Sequence, residues 1–228
     1  MARSRPTDAT DAHRRRILDA ADVVLRRHGP GKTNVLDVAR ELGQTHASVY
    51  RYFASKAELI DALVERWLAG VMQPLDLIAR GDAPAAERLR SWLMALFHAK
   101  LRKVTADPEY FATYHAIAGQ SHEVVARHLA AIFGQVEAIV AAGIAAGEFP
   151  PTDSRRAARA ILSGSLRFHH PTLLTATTQP PTDEEAGDVF ALLIAGLEAG
   201  GIERSAPDSE PFDPARVRSG DHQGHDQG

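Results

Sequence analysis

The chain predicts an all-α fold, an N-terminal three-helix head carrying a helix-turn-helix and a C-terminal helical bundle. Three observations carry that expectation. Apolar residues recur at helical spacing along most of the 228 residues, and no stretch alternates with the period of a strand. Residues 29–59, GPGKTNVLDVARELGQTHASVYRYFASKAEL, hold two short helical patterns on either side of a glycine. Charge is divided unevenly. Residues 1–60 carry 11 Lys and Arg against 7 Asp and Glu, a balance of +4; the rest carry 15 against 22, a balance of −7. A basic module on an acidic body is the footprint of a small nucleic-acid-binding head.

The first helix is expected from about Asp11 to His28, with Ile17, Ala20, Ala21, Val24 and Leu25 on one stripe. His28-Gly29-Pro30-Gly31 ends it. Val35, Val38, Ala39 and Leu42 form a second apolar face, and Gly43 ends that helix as a residue tolerant of positive φ. Thr45 is the expected N-cap of a short third helix reaching about Tyr52. Its inward residues are Ala47, Val49 or Tyr50, and Phe53. Two helices joined by a tight glycine turn make a helix-turn-helix, whose second helix suits a DNA major groove.

Ser55 then caps a long helix to about Ala79, with Leu59, Leu63, Trp67 and Val71 on one face, which links head to body. Further helices are expected at 83–104, 108–118, 121–147, 152–178 and 182–200. Asp107-Pro108, Ser121, Thr152 and Thr182 are start signals, and Gly147 and Gly200 are stops. The domains are therefore 1–55 for the head, 56–202 for the body, and a tail at 203–228. The tail holds Ala206, Phe212, Ala215 and Val217 as its apolar residues, too few to offset ordering entropy, and is expected to be disordered.

Composition narrows the chemistry. Apolar residues make up 44%, enough for a large core. The absence of cysteine excludes disulfides, zinc-thiolate sites and thiol catalysis. No Gly-x-Ser-x-Gly and no phosphate loop is present, and nothing assembles a nucleophile, a base and an orienting group, so neither enzyme activity nor a cofactor is expected. The N-terminus lacks a secretory apolar region, and no apolar run approaches the ~20 residues of a membrane span. A cytoplasmic protein without a membrane partner is expected.

Thr33-x-x-x-Asp37-Val38-Ala39, Gly43, Tyr50-x-Tyr52-Phe53 and Ser55-Lys56-x-x-Leu59 resemble the DNA-binding domain of the TetR/AcrR regulators. Residues 142–159, AGIAAGEFPPTDSRRAAR, resemble the TetR-like body, where a Gly-Glu-Phe turn joins two long helices. The chain departs from the family habit at Gln44, Thr45, Ala47 and Tyr52. The resemblance implies a TetR-like fold of about nine helices. It also implies a homodimeric transcriptional regulator that binds double-stranded operator DNA and responds to a small-molecule effector, usually as a repressor.

The resemblance places Thr33, Tyr50 and Lys56 at phosphate-contacting positions, and a hydroxyl, a phenol and an ammonium suit that task. Gln44, Thr45, His46, Ser48 and Arg51 lie on or beside the exposed face of the reading helix. Gln pairs well with adenine and Arg with guanine. Tyr52 belongs to the same set and is partly structural.

In the body, Trp92, Phe97, Phe111, Tyr114, His115, Phe168 and His169 are the expected effector-lining residues. No charged pair stands among them, which favours a neutral, partly aromatic or lipophilic effector. A metal-responsive regulator using His98, His115, His122, His128, His169 or His170 is an alternative, although no pair shows the i, i+4 spacing of a helical metal site. A DNA-binding protein without an effector is another. Ala157, Ile161, Gly164 and Phe168 form one small-apolar stripe, and Val189, Leu193, Gly196, Leu197 and Gly200 form a second. Paired with their copies, the two helices would make a four-helix dimer interface; burial within one chain would show the same stripes.

Overall fold

The computed structural model describes residues 6–175 and 179–201, apart from Pro30 and Lys32. Among these residues stand eleven helices and no strand. They are α1 (Pro6–His28), α2 (Val35–Glu41), α3 (His46–Tyr50), α4 (Lys56–Ala79), α5 (Ala85–Ala106), α6 (Pro108–Ala118), α7 (His122–Ala145), α8 (Ser154–Gly164), α9 (Leu166–His169), α10 (Pro171–Thr175) and α11 (Asp183–Glu198). The tail expected to be disordered, 203–228, lies outside the described residues.

Local signals explain most boundaries. Asn34 caps α2 by accepting from the Asp37 amide, Ser55 caps α4 through the Glu58 amide, and Asp107 caps α6 through the Tyr110 amide. Thr182 and Glu185 form a reciprocal capping box on α11. Gly43 adopts φ 64°, which lets the chain reverse between α2 and α3.

Two apolar cores form, and α4 belongs to both. Ile17, Ala21, Leu25, Val38, Val49, Phe53 and Leu59 to Leu68 build the head core, which also takes in Tyr114, Ile117 and Val124 from α6 and α7. Val71 and Leu75 of α4 continue into the body core, with Leu89, Trp92, Phe97, Val136, Ile139, Ile161, Phe168 and Phe190.

The Gly-Glu-Phe turn has a specific job. Phe149 packs against Gly143, where an added Cβ would lie 2.4 Å from the Phe149 ring. Glu148 Oε2 accepts from the Ala85 amide at 2.6 Å, and so caps α5, whose own N-cap is Pro84.

Three expectations need correction. The helix expected at 152–178 is divided into α8, α9 and α10. Ser165 turns its hydroxyl back onto the Ile161 carbonyl at 2.8 Å, which disturbs the helical ladder there. Pro171 has no amide to donate and drives His170 into extended backbone, φ −80° and ψ 123°. Ala47 is exposed on α3, and Val49, not Tyr50, points inward. Finally, α7 is long and apolar enough to cross a membrane by length and composition, with a mean hydropathy of 1.6. Its apolar face, Val124, Ile132, Val136, Ile139 and Val140, is packed inside the molecule among α4, α5 and α8.

Candidate nucleic-acid interface and body site

The outer surface of α3 is positioned by its inner one. Val49 and Phe53 are fully buried in the head core. Arg14 reinforces this seat, stacking over the Phe53 ring at 4.2 Å and donating to the Tyr52 carbonyl at 2.9 Å. Thr45, His46, Tyr50 and Arg51 face outward, and the rings of His46 and Tyr50 meet edge to face. Gln44 and Ser48 are half-buried, and Ser48 donates to Gln44 Oε1 at 3.0 Å. Tyr52 stacks on His13 with centroids 4.6 Å apart. Lys56 is exposed in the first turn of α4.

Thr33 differs from its sequence reading. It is 1% exposed, and its hydroxyl donates to the Gly29 carbonyl at 2.8 Å, closing the end of α1. The helix-start role belongs to Asn34, which the sequence reading missed; Asn three residues before Asp37 was the available signal.

Head and body meet through a polar knot. Asp22 of α1 accepts from Tyr114 at 2.6 Å and Tyr110 at 3.0 Å, both on α6. Arg26 pairs with Asp22 at 3.2 Å and Asp107 at 3.3 Å and lies 3.6 Å above the Tyr110 ring. Burial, followed by the hydrogen bond to Asp22, drives the Tyr114 phenol well above its ordinary range. Tyr114 stacks in turn on Trp67 of α4 at 5.3 Å, and Lys103 of α5 donates to the Trp67 carbonyl at 2.6 Å.

The seven aromatic and histidine positions expected to line an effector site do not form one wall. Trp92 is fully buried and donates to Gln135 at 2.8 Å. Phe97 and Phe168 meet edge to face at 5.8 Å inside the body core. Phe111 lies under an exposed His115, stacked at 5.7 Å. Tyr114 is turned toward the head. His169 is half-buried, with Nε2 3.1 Å from the Leu162 carbonyl.

What the fold does bring together is a set of basic groups where α5, α7 and α9–α10 converge. Lys100 Nζ lies 3.2 Å from Nε2 of the buried His128. Burial, with Lys103 adding repulsion, pushes the Lys100 ammonium down to about 8. Burial also pushes Lys103 down to about 8. His128 falls to about 3, through burial and then the charges of Lys100 and Lys103. His169 falls to about 4 for the same first reason, with Lys100 and His170 contributing. Sequence reading missed Lys100, yet a lysine one turn beyond Leu96 and Phe97 sits on the apolar side of α5. Among the described residues no three metal-ligating side chains cluster, so the metal-responsive alternative finds no ligand set.

The two small-apolar stripes are divided by burial. Ala157, Ile161, Phe168 and Leu197 are buried within the chain itself. Leu193 and Gly196 line a groove on the outer face of α8 and α11 with Ala160 and Leu192, the last 74% exposed, and Ile161 and Leu197 lie at its floor. Gly164 lies beside it, its Cβ position 2.8 Å from Leu193, and Val189 is half-buried on the same helix.

A helix-turn-helix head held on an all-helical body defines a class of DNA-binding regulators. Residues 17–63 match the model of the bacterial regulatory proteins of the tetR family, and residues 85–190 match the tetracyclin repressor-like C-terminal domain. The chain belongs to the TetR family. It is 32% identical over 89 residues to the HTH-type transcriptional repressor KstR2 of Mycobacterium tuberculosis. That match covers 39% of this chain and 44% of KstR2, less than half of either. Among solved structures, a transcriptional regulator of Pseudomonas aeruginosa superposes with a TM-score of 0.64 at 18% identity, covering 84% of this chain and 92% of that one. SmeT, repressor of the Stenotrophomonas maltophilia efflux pump SmeDEF, gives 0.61 at 22% identity, covering 89% and 99%. SmeT is also solved with triclosan.

Proposed function

We propose that the chain is a dimeric, cytoplasmic repressor that leaves its operator when a small molecule binds in its body. The observation that carries this reading is the sharing of α4 between two cores: Leu59 to Leu68 close the head, and Val71 and Leu75 close the body. A change in body packing therefore acts on the element that sets the head. Trp67 strengthens the link, since it touches Tyr114 and Lys103 together. In the dimer, the groove of Ala160, Leu192, Leu193 and Gly196, with Gly164 beside it, meets its copy, and Leu192 loses its exposure. Two heads then offer their reading helices to major-groove segments one turn apart, ~34 Å. Effector binding shifts the population toward dimers whose heads are wrongly spaced. The repressor sense follows the names of KstR2 and SmeT.

In this reading Tyr50, Lys56 and the amide end of α2 touch phosphates, while Arg51, His46, Thr45 and Gln44 face bases. Ser48 orients Gln44, and Tyr52 holds α1 through its stack on His13. The Thr33 hydroxyl supports the turn from inside. Of the expected effector set, Phe111 and His169 remain near the ligand, and Trp92, Phe97, Phe168 and Tyr114 support the surrounding frame from within the cores. His115 stands at the rim.

The test is operator titration at several salt concentrations. Lys56→Ala should weaken binding to all sequences and lower the salt slope by about 1. Arg51→Ala should instead cost about 1–3 kcal/mol at one base pair and relax preference there. Wild-type binding by both variants would remove α3 and the start of α4 from the interface.

A further inference from the structure

We propose that the body holds the acid group of a singly charged organic anion against the Lys100 ammonium, where α5, α7 and α9–α10 meet. The effector is then an amphipathic organic acid and not the neutral molecule expected from sequence. The inference rests on the ligand-responsive reading above and names the chemistry of its site.

The first support is an imbalance of charge. Every charged group acting on Lys100, His128, His169 and His170 is basic: Lys103 on Lys100; Lys100 and Lys103 on His128; Lys100 and His170 on His169; His115 and Lys100 on His170. No carboxylate of the described residues lies within ion-pair distance of Lys100 or Lys103, although Arg14, Arg26, Arg27, Arg40, Arg66, Arg80 and Arg127 all have one. Lys100 is half-buried, and a partly desolvated cation without a counter-charge is costly; such arrangements concentrate at functional sites.

The second support is the geometry of the donors. Lys103 is already engaged, with its Nζ on the Trp67 carbonyl and over the Trp67 ring at 4.1 Å. Lys100 has only His128 Nε2 as its hydrogen-bond partner among the described residues, which leaves two of its three donors free. For an ammonium to donate there, His128 must be neutral with its proton on Nδ1. Lys103 keeps its charge but is held on Trp67, so Lys100 is the cation of the set with donors to spare, which suits a ligand carrying a single acid group. Phe97, one turn before Lys100 on α5, and its partner Phe168 are buried in the body core and would have to part to seat the apolar portion of the ligand. The third support is the helix break at Ser165 and Pro171. It ends α9 at the half-buried His169, whose Nε2 lies on the Leu162 carbonyl, and the exposed His170; after burial, the Lys100 charge lowers the pKa of both.

The test uses two dyes on the full chain: anilinonaphthalene sulfonate, an apolar monoanion, and its uncharged parent phenylnaphthylamine. Wild type should bind the sulfonate more tightly. Lys100→Met should lower sulfonate affinity about tenfold or more, the loss a charge-assisted hydrogen bond implies, and leave the parent unchanged. Lys100→Arg should retain most of the affinity. Ligand-free Lys100→Met should also melt about 2–4 °C higher, because an unpaired, partly desolvated charge is gone. Lys100→Gln gives the same comparison should the methionine variant not fold. Unchanged sulfonate binding in Lys100→Met, or a parallel loss of both dyes with a lower melting temperature, would overturn the proposal. Binding of the parent but not the sulfonate by wild type would overturn it while leaving an effector site in place. Binding of neither would remove the effector site as well.

Discussion

Thr33 and Lys100 illustrate how residue type and residue role part company. Thr33 carries a hydroxyl suited to a phosphate, yet directs it inward to Gly29 because the end of α1 has unsatisfied carbonyls. Lys100 looks like one more solvated lysine in a charged helix, yet is half-buried beside the buried His128. Neither role was legible from spacing alone, since both depend on what packs across from the residue. The histidines show the same dependence and make a pH prediction. His128 and His169 are held neutral, with folded values of about 3 and 4 against an ordinary 6.5. Their contribution is complete above pH 6.5 and is lost as pH falls toward 4 and then 3. His128→Gln or His169→Gln should each remove acid sensitivity on the order of 1–3 kcal/mol between pH 7 and 4. Urea unfolding at the two pH values checks this; an unchanged acid loss in both variants would contradict it.

At the scale of elements, glycine, proline and capping signals did most of the work. α4, α6 and α11 begin at residues whose side chains make the caps expected of them, whereas α2 begins at the unexpected Asn34 and Thr45 precedes α3 without a side-chain cap bond. The division of α8 to α10 was available in His170-Pro171, but Ser165 added a break that composition does not announce. The turn at 147–149 couples two distant elements, and its energetics can be measured. Glu148→Ala should cost about 1–2 kcal/mol by uncapping α5. Gly143→Ala gains helix propensity of roughly 1 kcal/mol, but its new Cβ collides with Phe149 and with Ala85 at 2.7 Å. Overpacking of about 1–3 kcal/mol should win, so a net loss is expected in urea titration. A stabilised Gly143→Ala would mean that Phe149 moves aside freely. At the knot between α1 and α6, Tyr114→Phe removes the 2.6 Å bond to Asp22 but keeps the stack on Trp67. A stability loss of about 1 kcal/mol should come with a changed effector concentration for DNA release. A loss of stability with unaltered release would make the knot a strut and not part of the coupling.

For the whole molecule, the all-helical architecture and the position of the head were legible because helical periodicity, the glycine turn and the charge split agree with one another. The body site was less legible, because aromatic residues that line pockets also build cores, and here Trp92, Phe97 and Phe168 do the latter. The outer face of α8 and α11 stands between these cases. Its stripes were visible, but only the fold separates the buried Ala157 and Phe168 from Leu192, Leu193 and Gly196 of the groove. The central claim, a dimer reading two half-sites, is tested most directly by selecting bound fragments from random-sequence duplex DNA with wild type and Leu193→Glu. Wild type should enrich an inverted repeat with half-sites centred about 10 base pairs apart or a multiple of that. Leu193→Glu should enrich at most a single half-site and sediment as the 24.7 kDa monomer. Enrichment of no sequence by wild type, or of the same inverted repeat by both proteins, would contradict the account.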